Sequence, residues 1–243
     1  MSTCKLPTQV RTATPTEMYD CSVKTEIKDY VYSICLIGLI VAATALLLGA
    51  VQEWLVSTLG SYASIAVFFL FALAYGGLTA LSLAILFAWW PLREGDYSFD
   101  DLQFTLWKVQ HVVDTLGRTA LSLFFPVFVR PAFYTILGAR IGRQVAVGGK
   151  IVDPRLTVLG DNCVLGEGCI VTSHAIVRDR FILREVRVGE GATVGVGCIL
   201  MPGVKIGSRA VVLPGSVLKA HTEVPPGEIW GGIPAARIRG VVN

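Results

Sequence analysis

Hydrophobic and polar positions divide the chain into two parts with different patterns. No side chain is charged from Tyr30 to Val51, and a second uncharged run extends from Ser61 to Trp90. Each run is long enough to cross about 30 Å of hydrocarbon as a helix. The pattern predicts a two-helix transmembrane hairpin over residues 30–90, preceded by a flexible tail over residues 1–29.

Basic residues predict how this hairpin is oriented. The turn between the two runs carries Glu53 and neither lysine nor arginine. Lysines and arginines lie on the outer flanks, at Lys5, Arg11, Lys24, Lys28, Arg93, Lys108 and Arg118. Cytoplasmic loops carry this excess, so we expect an integral membrane protein with both ends in the cytoplasm. A cleaved signal peptide fits less well, because the first run starts late and a second run follows it.

Residues 91–138 form a connector with a mixed pattern. Asp100 and Asp101 can cap a helix that runs to about Gly117. The following segment, residues 119–137, is apolar but contains Pro126 and Pro131. Because proline breaks a helix, we expect a segment lying along the membrane surface rather than a third span. A hydrophobic lid packed on the next domain remains the alternative.

A six-residue period dominates residues 139–243. Within each of two blocks, aliphatic–glycine pairs recur six residues apart or a multiple of six. Their aliphatic members are Ile141, Val147, Leu159 and Leu165 in the first block and Val188, Val194 and Ile206 in the second. Four residues after each aliphatic position stands a small or β-branched residue, among them Cys163, Cys169, Ala175, Cys198 and Thr222. Such a unit buries nothing alone, whereas stacked coils of three units enclose a core. The period predicts an all-β, left-handed parallel β-helix, in which Cys163, Cys169 and Cys198 fill the core.

The period is expected to break once, between Val171 and Val188. The intervening sequence TSHAIVRDRFILREVR is charged and predicts an irregular loop. Loops that interrupt a regular scaffold often carry function. Its charged residues are candidates for acceptor recognition or are ordinary exposed charges: Arg178, Asp179, Arg180, Arg184 and Glu185.

Composition narrows the functional classes. Hydrophobic residues make up 53% of the chain, and the net charge of +3 does not indicate a nucleic-acid-binding protein. The six cysteines include no C-x-x-C pair, so no structural zinc site is expected. From Arg140 onward there are 13 basic and 8 acidic residues, an excess of five. This excess suits an anionic cofactor or an anionic lipid surface.

The repeats, the histidine before the break, the restart E-V-R-V-G and the close GSVLKAHTEVPPGEIWGGIPAARIRG resemble the hexapeptide-repeat acyltransferases. Galactoside and maltose acetyltransferases are members of that family. The resemblance extends from Gly138 to the C-terminus. It implies a homotrimer that transfers an acyl group, in the first instance acetyl, from acyl-CoA to a hydroxyl or amine. The sites would lie between adjacent subunits, and no metal is required.

Within this resemblance His174 matches the general base, and a neutral imidazole near pH 7 can accept a proton from an attacking O–H or N–H. Lys219 matches the lysine that contacts coenzyme A, Arg239 matches the terminal arginine, and Arg237 is its neighbour. Gly195 and Gly197 would let pantetheine approach the coil, or are ordinary repeat glycines. His111, on the connector helix at the membrane surface, is a weaker candidate than His174, and His221, near Lys219, is expected to be structural.

Two spans followed by PLREGDY, a Trp-bearing helix and ILGARIG also resemble the C-terminal membrane module of poly-lysine synthetase-type nonribosomal peptide synthetases. An acceptor at the membrane is then expected: a small molecule, a lipid-linked compound or a peptide. A γ-type carbonic anhydrase needs three histidines around zinc, and the repeats contain only His174 and His221. A nucleotidyltransferase would need a further α/β domain. A non-catalytic trimer serving as a membrane scaffold or complex subunit remains the alternative.

Overall fold

The computed structural model describes residues 27–121 and 128–239. It begins with two α-helices, α1 (Ile27–Leu59) and α2 (Ala63–Trp89), joined by a 3-10 turn at Gly60–Tyr62. Gly60 interrupts the helix because its φ of +52° is left-handed, a conformation that glycine adopts without steric cost. Helix α1 includes residues 27–29, which were expected to belong to the tail. Residues 1–26 of that expected tail lie outside the described residues.

The stretch Ile27–Trp89 is apolar and long enough, by length and composition, to cross a membrane. Large apolar side chains along it are exposed, among them Leu46, Trp54 and Phe68. Ile40 of α1 belongs to the same buried cluster as Tyr75 and Leu83 of α2. The two helices thus share an apolar contact and leave other apolar faces uncovered.

The connector contains a strand, β1 (Gly95–Ser98), and a helix, α3 (Leu102–Leu121). The helix expected to end near Gly117 continues to Leu121. Helices α2 and α3 cross closely at two glycines: a Cβ on Gly76 would lie 2.1 Å from Leu121 Cγ, and one on Gly117 would lie 2.4 Å from Thr79 Cγ2. Small residues at both crossing points let α3 pack directly on α2.

From Arg140 the chain winds into a parallel β-helix with three sheets. The first sheet contains β2 (Arg140–Ile141), β5 (Thr157–Leu159), β10 (Val186–Val188), β13 (Lys205–Ile206) and β16 (Glu223–Val224). The second contains β3 (Ala146–Val147), β6 (Val164–Leu165), β11 (Thr193–Val194), β14 (Val211–Val212), β17 (Ile229–Gly232) and the antiparallel β18 (Ala235–Arg239). The third contains β4 (Lys150–Ile151), β7 (Ile170–Val171), β12 (Ile199–Leu200) and β15 (Val217–Leu218).

This architecture confirms the six-residue repeat. Leu200 pairs with Leu218, eighteen residues further along, as expected for three units per coil. Val194 of the aliphatic phase and Cys198 of the small-residue phase are both fully buried. Cys163 and Cys169 are also fully buried, which confirms the three cysteines as core residues. Thr222 keeps the register of this phase, since its carbonyl oxygen accepts a hydrogen bond from Lys205 N–H, but it is only half-buried, as is Ala175.

The repeat is interrupted twice rather than once. Ile151 pairs with Val171, although it follows Val147 by four residues instead of six. It thus occupies a strand position and not the small-residue position to which the period assigns it. The residues after it form an extra 3-10 turn, Pro154–Leu156. As a result Asp153 stands where the period requires an aliphatic residue, six after Val147.

The second interruption is a β-hairpin, so the expectation of an irregular loop was wrong. Strands β8 (His174–Val177) and β9 (Arg180–Leu183) pair antiparallel, and β1 from the connector adds a third strand beside β9. Ala175 lies in this sheet and does not stack on a coil. Phe181 and Leu183 are buried with Phe104 of α3, which holds the hairpin against that helix.

Helices α2, α3 and α4 (Arg130–Ile136) pack against the first coil of the β-helix. Phe133 and Tyr134 of α4 belong to the same buried cluster as the β-helix core. The described part of segment 119–137 thus packs on the β-helix, as the alternative of a hydrophobic lid predicted. Residues 122–127 lie outside the described residues. Arginine side chains tie the two parts together through Arg118 Nη1 to Ile151 O (2.6 Å), Arg130 Nη1 to Gly148 O (2.7 Å) and Arg155 Nη2 to Leu83 O (3.1 Å).

Candidate active site

His174 lies just after the third sheet, at the first residue of β8. Its Nδ1 is 2.7 Å from Oδ2 of Asp153, and Thr172 Oγ1 is 3.2 Å from the same nitrogen. The imidazole is 20% exposed, whereas the Asp153 side chain is 3% exposed. A partly accessible imidazole held by a buried carboxylate has the arrangement of an oriented general base.

Three donors surround the Asp153 carboxylate. Besides His174, the backbone N–H of Ser173 donates to Oδ2 at 2.8 Å, and the Trp107 indole N–H donates to Oδ1 at 3.0 Å. Burial acts to raise the pKa of Asp153, but the hydrogen bonds and the charge of His174 outweigh it, so the pKa lies below its ordinary value. An ionised carboxylate only accepts hydrogen bonds. Nδ1 of His174 therefore donates the hydrogen bond to this carboxylate, which leaves Nε2 as the acceptor nitrogen of the neutral ring.

Local hydrogen bonds hold this pair in place. Thr157 Oγ1 donates to the carbonyl oxygen of Asp153 at 2.9 Å, and Ser173 Oγ donates to that of Leu156 at 2.7 Å. Both bonds join the extra turn to a neighbouring element. Each interruption of the repeat therefore supplies one residue of the pair, Asp153 from the first and His174 from the second.

An aromatic wall from α3 and β9 covers one side of His174. The Trp107 ring centroid lies 4.5 Å from that of His174 and 4.9 Å from that of Phe181. Phe104 lies 4.9 Å from Phe181 on the far side. Because the Trp107 indole also donates a hydrogen bond to Asp153, this one side chain contacts both members of the pair.

His111 is the second imidazole of the site. Its ring stacks on Trp107 at 5.3 Å and lies edge-on to His174 at 6.3 Å. Burial lowers the pKa of His111, against the raising effect of the Asp153 charge, so the ring is neutral at pH 7. His111 was the weaker candidate by sequence, and the fold places its ring against that of His174.

Two of the five candidate acceptor-loop residues are held in ion pairs. Arg184 Nη2 lies 2.6 Å from Oδ1 of Asp96 on β1. Glu185 is buried and pairs with both Arg140 and Arg187. These ion pairs join the hairpin and the residues after it to neighbouring strands. They explain the charges of Arg184 and Glu185 without an acceptor.

The other three loop candidates lie at the tip of the hairpin. Arg178 and Asp179 form the turn between β8 and β9, and Arg178 adopts a left-handed φ of +55°. Arg180 opens β9 and pairs with Ser98 of β1. All three are exposed. They remain candidates for contact with an acceptor.

Lys219 lies at the same corner of the β-helix as His174. Leu200 pairs with Val171 on one side and with Leu218 on the other. Thr172 and Lys219 follow those partners, so they lie two strands apart, about 10 Å at the usual strand spacing. Lys219 is exposed. The corner thus combines the His174 imidazole with the exposed ammonium group of Lys219.

Gly195 and Gly197 have structural reasons of their own. A Cβ on Gly195 would lie 2.5 Å from the backbone nitrogen of Pro214 in the next coil, and Gly197 has a φ of +69°. Close stacking of coils and a left-handed turn both call for glycine. Their role as ordinary repeat glycines therefore accounts for them without a coenzyme.

The remaining candidates lie elsewhere. Arg237 is on β18 in the second sheet, with Nε 3.1 Å from Oε1 of Glu228. Arg239 ends the same strand by its backbone, and its side chain lies outside the described residues. His221 occupies a left-handed turn with a φ of +61°, against Gly203. None of these belongs to the sheet that ends at His174.

Sequence reasoning missed Asp153 and Trp107. A signal for Asp153 was present, since an acid at an aliphatic position of the repeat is a buried charge. No pattern signals Trp107, which contacts His174 only through the fold. Over residues 27–121 and 128–239, no three His, Cys, Asp or Glu side chains are grouped so that they could hold a metal ion.

Comparison with known proteins gives one family match. Residues 185–220 match the family described as bacterial transferase hexapeptide (six repeats). The matched segment contains β10 to β15 and ends just after Lys219. The match supports a hexapeptide-repeat transferase relationship for these coils and does not include His174 or Asp153.

Among curated proteins, the chain is similar to the mitochondrial γ carbonic anhydrase 2 of Arabidopsis thaliana, with 44% identity over 52 residues, 21% of this chain and 19% of that protein. The mitochondrial γ carbonic anhydrase 1 of the same plant is 37% identical over 46 residues, 19% of this chain and 17% of that protein. The chain thus spans less than a fifth of the length of these relatives.

Two solved structures resemble parts of the chain. One is a hexapeptide-repeat acetyltransferase from Vibrio cholerae O1 biovar eltor complexed with acetyl coenzyme A, with 23% identity and a TM-score of 0.41 over 44% of this chain and 62% of that one. The other is a maltose O-acetyltransferase from Clostridium difficile 630, with 18% identity and a TM-score of 0.45 over 63% of this chain and 95% of that one.

Proposed function

We propose that the protein transfers an acyl group, in the first instance acetyl, from acyl-CoA to a hydroxyl or amine. The observation that carries the proposal is the His174–Asp153 pair, in which a buried carboxylate with a lowered pKa accepts a hydrogen bond from Nδ1 of the imidazole. The match of residues 185–220 to a transferase family supports a transferase among the reactions that such a pair could serve.

In the proposed reaction, Nε2 of His174 removes the proton from the acceptor's O–H or N–H as its oxygen or nitrogen attacks the thioester carbonyl. The imidazolium that forms is stabilised by the Asp153 carboxylate at Nδ1. The carbon–sulfur bond then breaks, and His174 returns the proton to the departing thiolate. The products are the acylated acceptor and free coenzyme A, and the enzyme regains its starting state.

We propose that the acyl-CoA donor lies along the corner of the β-helix that carries Lys219. An exposed ammonium there could pair with a phosphate of coenzyme A. Arg239 and Arg237 remain proposed contacts at the end of the chain. Gly195 and Gly197 are proposed as positions where pantetheine could lie close to the coil, in addition to their structural role.

Residues 30–90 are proposed to form a transmembrane hairpin with the β-helix in the cytoplasm. The uncovered apolar faces of α1 and α2 support this placement. A homotrimer is proposed on the family resemblance, which would bring three sites close to the bilayer. The resemblance to the membrane module of poly-lysine synthetases adds an amine to the acceptors worth testing.

Acetyl-CoA binding to the full-length protein in detergent tests the donor half of the proposal. We expect micromolar affinity by titration calorimetry for both wild type and His174→Gln, because His174 acts on the acceptor. Free coenzyme A, measured by mass spectrometry with a panel of alcohols and amines, should then appear only with wild type. Absence of binding up to millimolar acetyl-CoA and longer acyl-CoAs would favour the non-catalytic scaffold.

A further inference from the structure

A groove runs between α1 and α3 and ends beside the proposed catalytic histidine. It has a volume of about 300 Å³, within the range of small-molecule pockets. Ile34 and Ile37 of α1 and Trp107, His111 and Val112 of α3 line it. We name it the α1–α3 groove.

Two side chains belong to both the groove and the candidate site. Trp107 and His111 line the groove, and their ring centroids lie 4.5 Å and 6.3 Å from that of His174. A chain lying in the groove with a polar end group would bring that group next to the His111 imidazole, whose ring centroid lies 6.3 Å from that of His174. The inner end of the groove is therefore the one place in it where a hydroxyl or amine finds hydrogen-bond partners of the site.

The outer end is continuous with the apolar surface of α1. Ile34 is 66% exposed, and Val41, seven residues further along on the same face of the helix, is also exposed. The charged residues at the groove, Asp29 and Lys108, form a buried ion pair with each other. Because their charges compensate, the groove offers no net charge for an ionic headgroup, and its chemistry favours an alkyl chain.

We propose that the α1–α3 groove binds the alkyl chain of a membrane-resident amphiphile whose terminal hydroxyl or amine is the acyl acceptor. This inference rests on the proposed acyltransferase function, and it specifies the substrate class for that site. The acceptor enters from the bilayer along α1, and its polar end stops at His111 and Trp107. The acyl group is then transferred at the membrane surface.

A second groove provides an internal comparison. It has a volume of about 570 Å³ and is lined by residues of α1, α2 and α3, including Leu39, Leu86 and Val109. Neither Trp107 nor His111 is among its lining residues. A chain bound there would not reach His174, so a substitution in it should leave acceptor binding intact.

The test uses full-length protein in phosphatidylcholine nanodiscs and hexadecan-1-ol carrying a mid-chain diazirine. Ile34→Trp narrows the α1–α3 groove, and Leu39→Trp makes the matched change in the second groove, since the two side chains are 66% and 67% exposed on the same helix. After irradiation, mass spectrometry should locate label on α3 near Val112. We expect Ile34→Trp to reduce that labelling several-fold and Leu39→Trp to leave it unchanged.

A second readout separates this inference from the proposed function. Release of coenzyme A from acetyl-CoA is measured with hexadecan-1-ol and with butan-1-ol, which needs no groove. Ile34→Trp should raise the KM for hexadecan-1-ol several-fold, and Leu39→Trp should not. Equal α3 labelling in both variants, or release with butan-1-ol but not with hexadecan-1-ol, would overturn the groove and leave the function standing. Labelling as expected without release for any alcohol or amine would overturn the acceptor role together with the proposed function.

Discussion

Nδ1 of His174 donates a hydrogen bond to Oδ2 of Asp153 over 2.7 Å, although the two residues are 21 positions apart. Each stands at an interruption of the six-residue repeat: Asp153 before the 3-10 turn Pro154–Leu156, and His174 at the start of the β8–β9 hairpin. The regular coils provide a rigid scaffold, and the two departures from it create the candidate site.

Asp153→Asn should lower the transfer rate by about 10²–10⁴-fold, the usual contribution of general base catalysis. An amide can donate to Nδ1, which would leave the proton on Nε2 and remove the base. Asp100→Asn, at an exposed residue before α3, should retain the wild-type rate. The double variant Asp153→Asn/His174→Gln should be no slower than His174→Gln alone. Full activity of Asp153→Asn would show that the pair is structural.

His111 should make stability depend on pH. Burial holds the pKa of His111 below its ordinary value of 6.5, so between that value and the folded-state pKa the unfolded chain binds a proton that the folded chain does not. Stability should therefore fall as the pH drops from about 7 to 5, and His111→Gln should flatten that fall. Thermal midpoints across this range would measure it. An unchanged fall in the His111→Gln variant would contradict this assignment.

The crossing of α2 and α3 should tolerate a methyl group at one glycine and not at its neighbour. Gly76→Ala places a Cβ 2.1 Å from Leu121 Cγ, whereas nothing lies within 4 Å of a Cβ on Gly77. Overpacking should make Gly76→Ala less stable by about 1–3 kcal/mol. Gly77→Ala should be neutral or more stable by up to about 1 kcal/mol, because alanine favours the helix. Equal thermal midpoints for the two variants would contradict this packing.

Lys219→Ala should weaken acetyl-CoA binding by about tenfold, since a hydrogen bond to a phosphate would be lost at an exposed site. Lys205→Ala is the matched control: that side chain is also exposed and pairs with Glu223 at 2.8 Å, a surface contact of small value. Neither variant should change the thermal midpoint appreciably. Titration calorimetry would compare them, and equal affinity for both would remove Lys219 from the donor site.

The sequence alone was sufficient to predict the β-helix because the determinants of this fold are local and are repeated in each unit. Val194 and Cys198 occupy their buried positions through a pattern that each six-residue unit restates. A coil requires only that neighbouring units share that pattern. The same periodicity also contained the signal for Asp153, an acid in an aliphatic position, although the interval from Val147 to Leu159 still divides by six and conceals the irregular turn.

The prediction of an irregular loop between Val171 and Val188 was wrong because the strand that pairs with this segment lies far away in the sequence. The strand β9 pairs with β1, so that Phe181 lies opposite Tyr97. Alternating residues in a charged segment become a strand only when another strand supplies hydrogen bonds and an apolar surface. Neither is visible in the segment itself.

By itself the sequence determined the apolar helical stretch, the β-helix and the histidine at its second interruption, since each depends on composition or on a short period. Only the tertiary structure decided which residues surround that histidine. Trp107 and His111 reach it because α3 packs against the β8–β9 hairpin through Phe104, Phe181 and Leu183. Such contacts depend on how preformed elements dock, and burial of apolar surface selects the docking without leaving a periodic trace in the chain.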